Sequence, residues 1–446
     1  MSKSAKGSIS KGVDAVTIWL YLLLVTIGLV AIFAVTYREG DSVVSSFFAF
    51  KTDYSKQFYF FGVAGLLAIF ILLTDSKFFT ATANLWYAAG IGLLLLVFPF
   101  HSAVKGTESI IRFGGFQFQP AEFCKVPVCL ALAKYLSLPN LDFSKTRSQL
   151  IAAAIAVVPA VITIAQKETG LALVFFAFFL VMYREGLPAT ILVVGFSIAA
   201  LIIATLLIEK NTLAIILTAL AALLVYLMRR QVKRDKALLI KIVMLWALCV
   251  GIQRFAVPLL FQNVFQTHQV ERIFSTIGKD IPPEYIDPKE AAAVAAGKKK
   301  DVDYNVKQSK IAIGSGGVLG KGLLSGTQTR YDFVPEQRTD FIFCTIGEGF
   351  GFVGTTVLLL IYLLLLFRII FIAERQRSVF SRCYAYGVAA VFFFHVAINV
   401  GMTVGLAPVI GIPLPFISYG GTALITFTIL LFILIRLDAD RQMVLR

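Results

Sequence analysis

Four stretches of this chain carry the residue types and spacings that chemistry needs. The longest begins at Gln308-Ser309-Lys310-Ile311-Ala312-Ile313-Gly314-Ser315-Gly316-Gly317. It continues through Gly320-Lys321-Gly322 and Gly326-Thr327-Gln328 to Pro335-Glu336-Gln337-Arg338-Thr339-Asp340-Phe341. This reads as a glycine-rich polar loop that re-enters an apolar helix at Asp340. Glycines let backbone amides approach an anion closely, and Lys321, Arg330 and Arg338 supply positive charge. Asp340 stands at the mouth of the next span. Thr339 and Asp340 are also ordinary helix-capping types, and the residues alone leave both readings open.

The second stretch is Gln119-Pro120-Ala121-Glu122-Phe123-Cys124-Lys125. Pro120 suits a first helical turn. Glu122 and Lys125 are three apart and share a helical face. An ionisable pair inside a span is costly, so it marks either a site or a structural ion pair that fixes packing. The third is an acidic turn, Gln166-Lys167-Glu168-Thr169-Gly170. The fourth, Pro413-Leu414-Pro415-Phe416-Ile417-Ser418-Tyr419-Gly420-Gly421, reads as loop geometry before the final span. His395 lies among aromatics and is expected to be a packed histidine rather than a ligand.

Stretches like these must be held by elements that suit the composition. The 446 residues are 58% hydrophobic and 15% charged, against about 25% charged in a soluble domain. The fold class is therefore an all-α polytopic membrane protein. A span needs about 20 apolar residues. Twelve candidates follow: Ala15–Val35, Gln57–Thr74, Phe79–Phe98, Glu122–Leu136, Leu150–Ala165, Gly170–Tyr183, Pro188–Ile208, Leu213–Met228, Ala237–Phe261, Phe341–Phe367, Tyr384–Leu406 and Ile417–Ile435. Three are short and carry polar residues. The first is too long for a signal peptide and reads as retained. The chain reads as one integral-membrane domain, 1–446, with a long loop at 262–340.

The net charge of +15 does not point to nucleic acid, because the basic residues cluster between apolar stretches. It reads instead as topology and attraction to anionic lipid. With a cytoplasmic N-terminus, the inside loops hold Lys77, Lys134, Lys145, Arg147, Arg184, the Arg229–Lys236 run, the Arg368–Arg382 run and the tail. Both termini are then cytoplasmic and the 262–340 loop is periplasmic. The five cysteines form no CxxC pair, so they read as core thiols, with no disulfide framework and no metal cluster. No internal repeat is visible.

Taken in order, these stretches resemble the SEDS family, and within it the RodA branch. Gln308–Gly317 is similar to the family's QSxIAIGSGG. Gly320–Gly322 and Gly326–Gln328 resemble the GKG…GTQ of the RodA branch. Pro335–Phe343 resembles PExHTDFIF. Asn399–Met402 with Pro413–Gly421 resembles NxGM…GxPLPxxSYGG, and Gln119–Lys125 resembles QPSExxK. Departures are Ser109-Ile110 in place of Arg-Trp, Gln166–Gly170 in place of QPDLG, Arg338 in place of His, and Gly349 in place of Glu. Two spans beyond the family's ten lie between Pro188 and Phe261, and an insertion lies around Lys279–Lys300.

The resemblance implies a peptidoglycan glycosyltransferase of the bacterial inner membrane that polymerises lipid II during elongation and shape maintenance. It places the catalytic aspartate at Asp340. It also implies substrate-binding roles for Glu122, Lys125, Glu168, Gln308, Lys321, Glu336 and Arg338. A divalent cation, Mg²⁺ or Mn²⁺, and a class B penicillin-binding protein are the implied cofactor and partner, with no organic cofactor. The alternative reading is a lipid II flippase. A catalytic acid at the outer mouth favours the enzyme, because a flippase needs polar groups through the whole depth. The Lys279–Lys300 insertion is expected to lie apart from the catalytic pocket.

Overall fold

The computed structural model describes residues 12–38, 42–48, 50–104, 107–113, 116–263, 270 and 304–441. The Lys279–Lys300 insertion lies outside these residues. Among them, ten helices are long and apolar enough to cross a membrane: Ala15–Thr36, Asp53–Leu73, Ser76–Phe100, Thr146–Ala165, Ala189–Leu206, Lys210–Leu227, Lys236–Leu259, Ile342–Glu374, Val379–Val404 and Gly421–Ala439. The other two of the twelve expected spans are broken and short. One is Pro120–Phe123 followed by Lys125–Leu136, with Cys124 between. Pro127 explains that break: it has no N–H for the Phe123 carbonyl and tolerates only a first helical turn. The other is Thr169–Phe175 followed by Phe178–Arg184.

The chain divides into two compact units, Met1–Leu187 with Asn305–Arg446, and Pro188–Tyr304. The second unit holds the helices Ala189–Leu207, Lys210–Leu227 and Lys236–Gly251. Within it, Trp246 Nε1 donates to Thr218 Oγ1 at 3.1 Å, an exposed link between two spans.

In the first unit, the last span, Gly421–Ala439, is the central element. It is buried along nearly its whole length and packs against Asp53–Leu73 and Val379–Val404. One face of this unit is closed by a charge network. Asp14 caps the first span by accepting from Thr17 N at 3.0 Å and pairs with Arg368. Arg375 joins Asp14 to Asp438. Ser76 Oγ donates to Asp440 at 2.7 Å. The opposite face carries the polar loops and a small antiparallel sheet that the sequence did not reveal, β1 Ser102–Val104, β2 Thr107–Phe113 and β3 Phe116–Phe118, in the order β1-β2-β3. The register pairs Ile111 with Phe118 and Phe113 with Phe116. It delivers the chain into Gln119 and the Pro120 helix.

Candidate functional site

On the face with the sheet, a cleft of about 430 Å³ opens between four elements. Asp53, Lys56 and Phe60 come from the start of the second span. Gln117, Gln119 and Glu122 come from β3 and the helix after it. Thr339 and Asp340 come from the turn before the long helix, and Gly411, Pro413 and Tyr419–Ala423 come from the loop before and the start of the last span. The tertiary fold thus brings together stretches that are far apart in sequence. The fourth stretch, read from the sequence as loop geometry alone, forms a wall of the cleft.

Asp340 does not cap the long helix. The N-cap position is Phe341, and no side chain caps it. The Asp340 carboxylate instead faces the cleft beside Gly411, where a Cβ would stand 3.3 Å from Asp340 Oδ2. Gly411 is also in the left-handed region, φ +76°, so glycine leaves this wall open at no conformational cost. The turn carrying Asp340 is stitched to the loop opposite it. Asn399 Nδ2 donates to the Asp340 carbonyl at 2.8 Å and to Ile412 O at 2.7 Å. Ser418 Oγ donates to Thr339 O at 2.6 Å, and Tyr419 N donates to Arg338 O at 2.8 Å. Gln57 of the second span accepts from Gly420 N at 3.1 Å. A carboxylate mounted this way has its backbone fixed from three directions.

Glu122 and Lys125 do form an ion pair, and it is almost wholly buried, at 2% and 1% side-chain exposure. Lys125 Nζ also lies 2.8 Å from His395 Nε2 and 5.0 Å from the Phe427 ring centroid. His395 Nδ1 lies 2.9 Å from the Pro413 carbonyl. A carbonyl only accepts, so Nδ1 carries the proton and Nε2 accepts from Lys125. The packed histidine read from the sequence is therefore also the link between the Glu122–Lys125 pair and the loop opposite Asp340. Glu122 Oε1 has no hydrogen-bond partner among the described residues, and Glu122 lines the cleft.

The cleft also holds a cation that sequence reasoning missed. Lys56 lines it, and its ammonium has no hydrogen-bond or ion-pair partner among the described residues. Its signal was available as Asp53 and Lys56 three apart at the start of a span. Asp53 is engaged by Arg338 at 2.5 Å. Burial, then the Asp53 carboxylate beside it, push the Tyr419 hydroxyl up to about 12, so at neutral pH it remains a donor.

The other expected site residues fall outside this cleft. Glu168 accepts from Ser109 Oγ at 2.7 Å and Gln119 Nε2 at 3.3 Å, so it braces a cleft residue from behind. Glu336 and Arg338 line a neighbouring pocket that shares Asp53, Thr339 and Tyr419 with the cleft. Gln308 lies on the helix Tyr304–Ser315, away from the cleft lining. Lys321 pairs at 2.9 Å with Glu348, which is 0% exposed. Glu348 also accepts from the amides of Gln328 and Thr329 at 2.9 and 2.8 Å. The amides at the Gly320-Lys321-Gly322 turn are taken up within the protein rather than held out for an anion. Lys321 N and Gly322 N donate to the carbonyls of Glu348 and Gly349 at 3.0 and 2.9 Å. The glycines of the loop serve close packing instead: a Cβ on Gly316 would stand 2.0 Å from Gly347 O. Four of the five cysteines are buried and all are free.

Residues 14–239 and 199–443 match the cell cycle protein family FtsW/RodA/SpoVE. The chain belongs to this family. The two matches of the FtsW/RodA/SpoVE family overlap at 199–239, inside the unit where two additional spans were expected. A family relative, the peptidoglycan glycosyltransferase MrdB of Escherichia coli K12, is 31% identical over 80% of this chain and 78% of its own length. The peptidoglycan glycosyltransferase RodA of Treponema pallidum is 29% identical over 94% and 97%. The fold matches the solved rod shape-determining protein RodA of Thermus thermophilus, with TM-score 0.60 and 22% identity over 97% of this chain and 98% of that one. It also matches a chain of a peptidoglycan synthase complex that coordinates polymerization and crosslinking, with TM-score 0.63 and 22% identity over 96% and 98%. The chain is a multi-pass membrane protein of this fold.

Proposed function

We propose that this chain is a peptidoglycan glycosyltransferase that polymerises lipid II, with Asp340 as the general base. The observation that carries the reading is one cleft holding the Asp340 carboxylate and the Lys56 ammonium, which is unpaired among the described residues. The donor is a glycan on undecaprenyl pyrophosphate and the acceptor is a sugar 4-hydroxyl. Asp340 accepts the acceptor proton as its oxygen attacks the anomeric carbon. The carbon–oxygen bond to pyrophosphate breaks, and the leaving group keeps the electron pair. One displacement inverts the anomeric centre, so a single base suffices and no paired nucleophilic carboxylate is required. Lys56 meets the developing pyrophosphate charge. Tyr419, Gln119 and Thr422 line the same cleft and supply polar contacts to sugar hydroxyls.

The divalent cation implied by the resemblance finds no group of three His, Cys, Asp or Glu among the described residues. The described residues therefore do not fit a resident metal centre. The working orientation places the cleft on the periplasmic side of the inner membrane, where a class B penicillin-binding protein receives the strand.

The test is polymerisation of labelled lipid II by purified protein in detergent, where flipping produces no strand. Asp340→Asn retains the fold and loses about 10²–10⁴-fold in rate, the usual worth of a positioned base. Strands made by Asp340→Asn at near wild-type rate would overturn the assignment.

A further inference from the structure

The segment Gly317–Leu324 of the glycine-rich loop does not line the cleft, and its tip is apolar and turned outward. Val318 is 66% and Leu319 80% exposed. On the adjoining surface of the long helix, Phe352 is 69% exposed. We infer that the segment Gly317–Leu324 is a re-entrant tip, seated in the hydrocarbon of the leaflet nearest the cleft rather than in water.

Depth is the first argument. Phe352 and Val353 donate their amides to Gly317 O and Val318 O at 2.9 and 3.0 Å, so the tip stands level with them. Phe352 is about 24 Å along its helix from Arg368, at about 1.5 Å per residue. Arg368 pairs with Asp14, the cap of the first span, and so marks the polar boundary of the opposite face. The hydrocarbon layer is about 30 Å thick, which leaves Phe352 and the tip inside it. The first span gives an independent reading. Ala31 and Ala34 line a crevice with Leu323, Leu324 and Phe350, and Ala31 is about 26 Å along its helix from Asp14. Arg38, one turn beyond Ala34, bonds the Arg330 carbonyl and Asp332, where a polar headgroup layer begins.

Backbone chemistry is the second argument. Irregular chain persists at membrane depth only where its polar groups are satisfied internally. The Gly320 amide donates to Gly316 O at 2.8 Å, and the Lys321 and Gly322 amides donate to the long helix. In return, the helix amides released by the break at Gly351, φ 63° and ψ −160°, find the loop carbonyls. The only charge in the segment, Lys321, is neutralised by buried Glu348. Four backbone bonds thus join the loop to the helix break, and Phe352, Val353 and Leu360 of the long helix are exposed as the tip is.

The experiment uses the full chain in vesicles of phosphatidylethanolamine and phosphatidylglycerol. An environment-sensitive fluorophore is placed at Leu319→Cys, with Leu360→Cys as the mid-span reference and Tyr331→Cys as the polar-side reference. The unsubstituted chain, labelled in parallel, corrects for the native cysteines. Emission is quenched by lipid carrying a nitroxide on its acyl chain, or by iodide in the buffer. The expected result is loss of Leu319 emission to the acyl-chain nitroxide, as for Leu360, with shielding from iodide. Quenching by iodide as strong as at Tyr331, with none from the lipid chain, would overturn the proposal. Leu319 is exposed, so its replacement leaves packing intact, and the readout does not depend on polymerase activity.

Discussion

The Lys125 ammonium serves two acceptors at once, the Glu122 carboxylate and His395 Nε2. Removing it leaves the buried Glu122 carboxyl with no hydrogen-bond partner among the described residues. Loss of one partner of a buried pair costs about 3–5 kcal/mol. Lys125→Met is therefore expected to lower stability by about that amount and to reduce polymerisation, since Pro413 loses its anchored histidine. Replacing both partners, Glu122→Gln with Lys125→Met, is expected to cost less than the sum of the single changes. A double-mutant cycle on unfolding in detergent measures this, and strict additivity would show that the two are not coupled. The pair itself was legible in the sequence, because three-residue spacing within one chain segment fixes a shared helical face. Its third member was not, because His395 is brought to Lys125 by tertiary packing alone.

At the scale of the element, the long helix Ile342–Glu374 and the loop before it form one device. Gly351 sits at φ 63°, and a Cβ there would stand 2.4 Å from Gly320 N. Gly351→Ala is expected to cost about 1–3 kcal/mol through backbone strain and displacement of the loop, read as a lowered melting temperature in detergent. The charge network on the opposite face gives a pH-dependent counterpart. Burial pushes the Asp14 carboxyl up, but hydrogen bonds from Arg368 and Thr17 overcome this and hold it at about 2, from an ordinary 3.8. A depressed acid stabilises the fold above its unfolded value and loses that contribution as pH falls through the folded one. The contribution is about 2 kcal/mol above pH 4 and fades toward pH 2. The melting-temperature gap between wild type and Asp14→Asn should be full at pH 7 and shrink below pH 4. A gap that stays constant down to pH 2 would remove Asp14 from this role. Charge runs in the sequence located these loops, but not the pairing of Asp14 with a residue 354 positions away.

For the whole molecule, orientation is the property that charge asymmetry bears on most directly. Tyr331 and Lys77 lie on opposite faces of the first unit and both are exposed. In intact cells, a membrane-impermeant thiol reagent is expected to modify Tyr331→Cys and to spare Lys77→Cys, and the reverse pattern would invert the assigned topology. The sequence by itself determined the membrane class, the family and ten of the twelve expected spans as long apolar helices. Hydropathy and short motifs are local properties, written in consecutive residues. What only the tertiary structure decided is which of those residues share a cleft. Lys56, Tyr419 and Gly411 join Asp340 there, while Lys321 and the glycine-rich amides are turned to close packing around Glu348. That division depends on helix breaks at Cys124 and Gly351 and on side-chain bonds from Asn399 and Ser418, contacts between segments that no local pattern records.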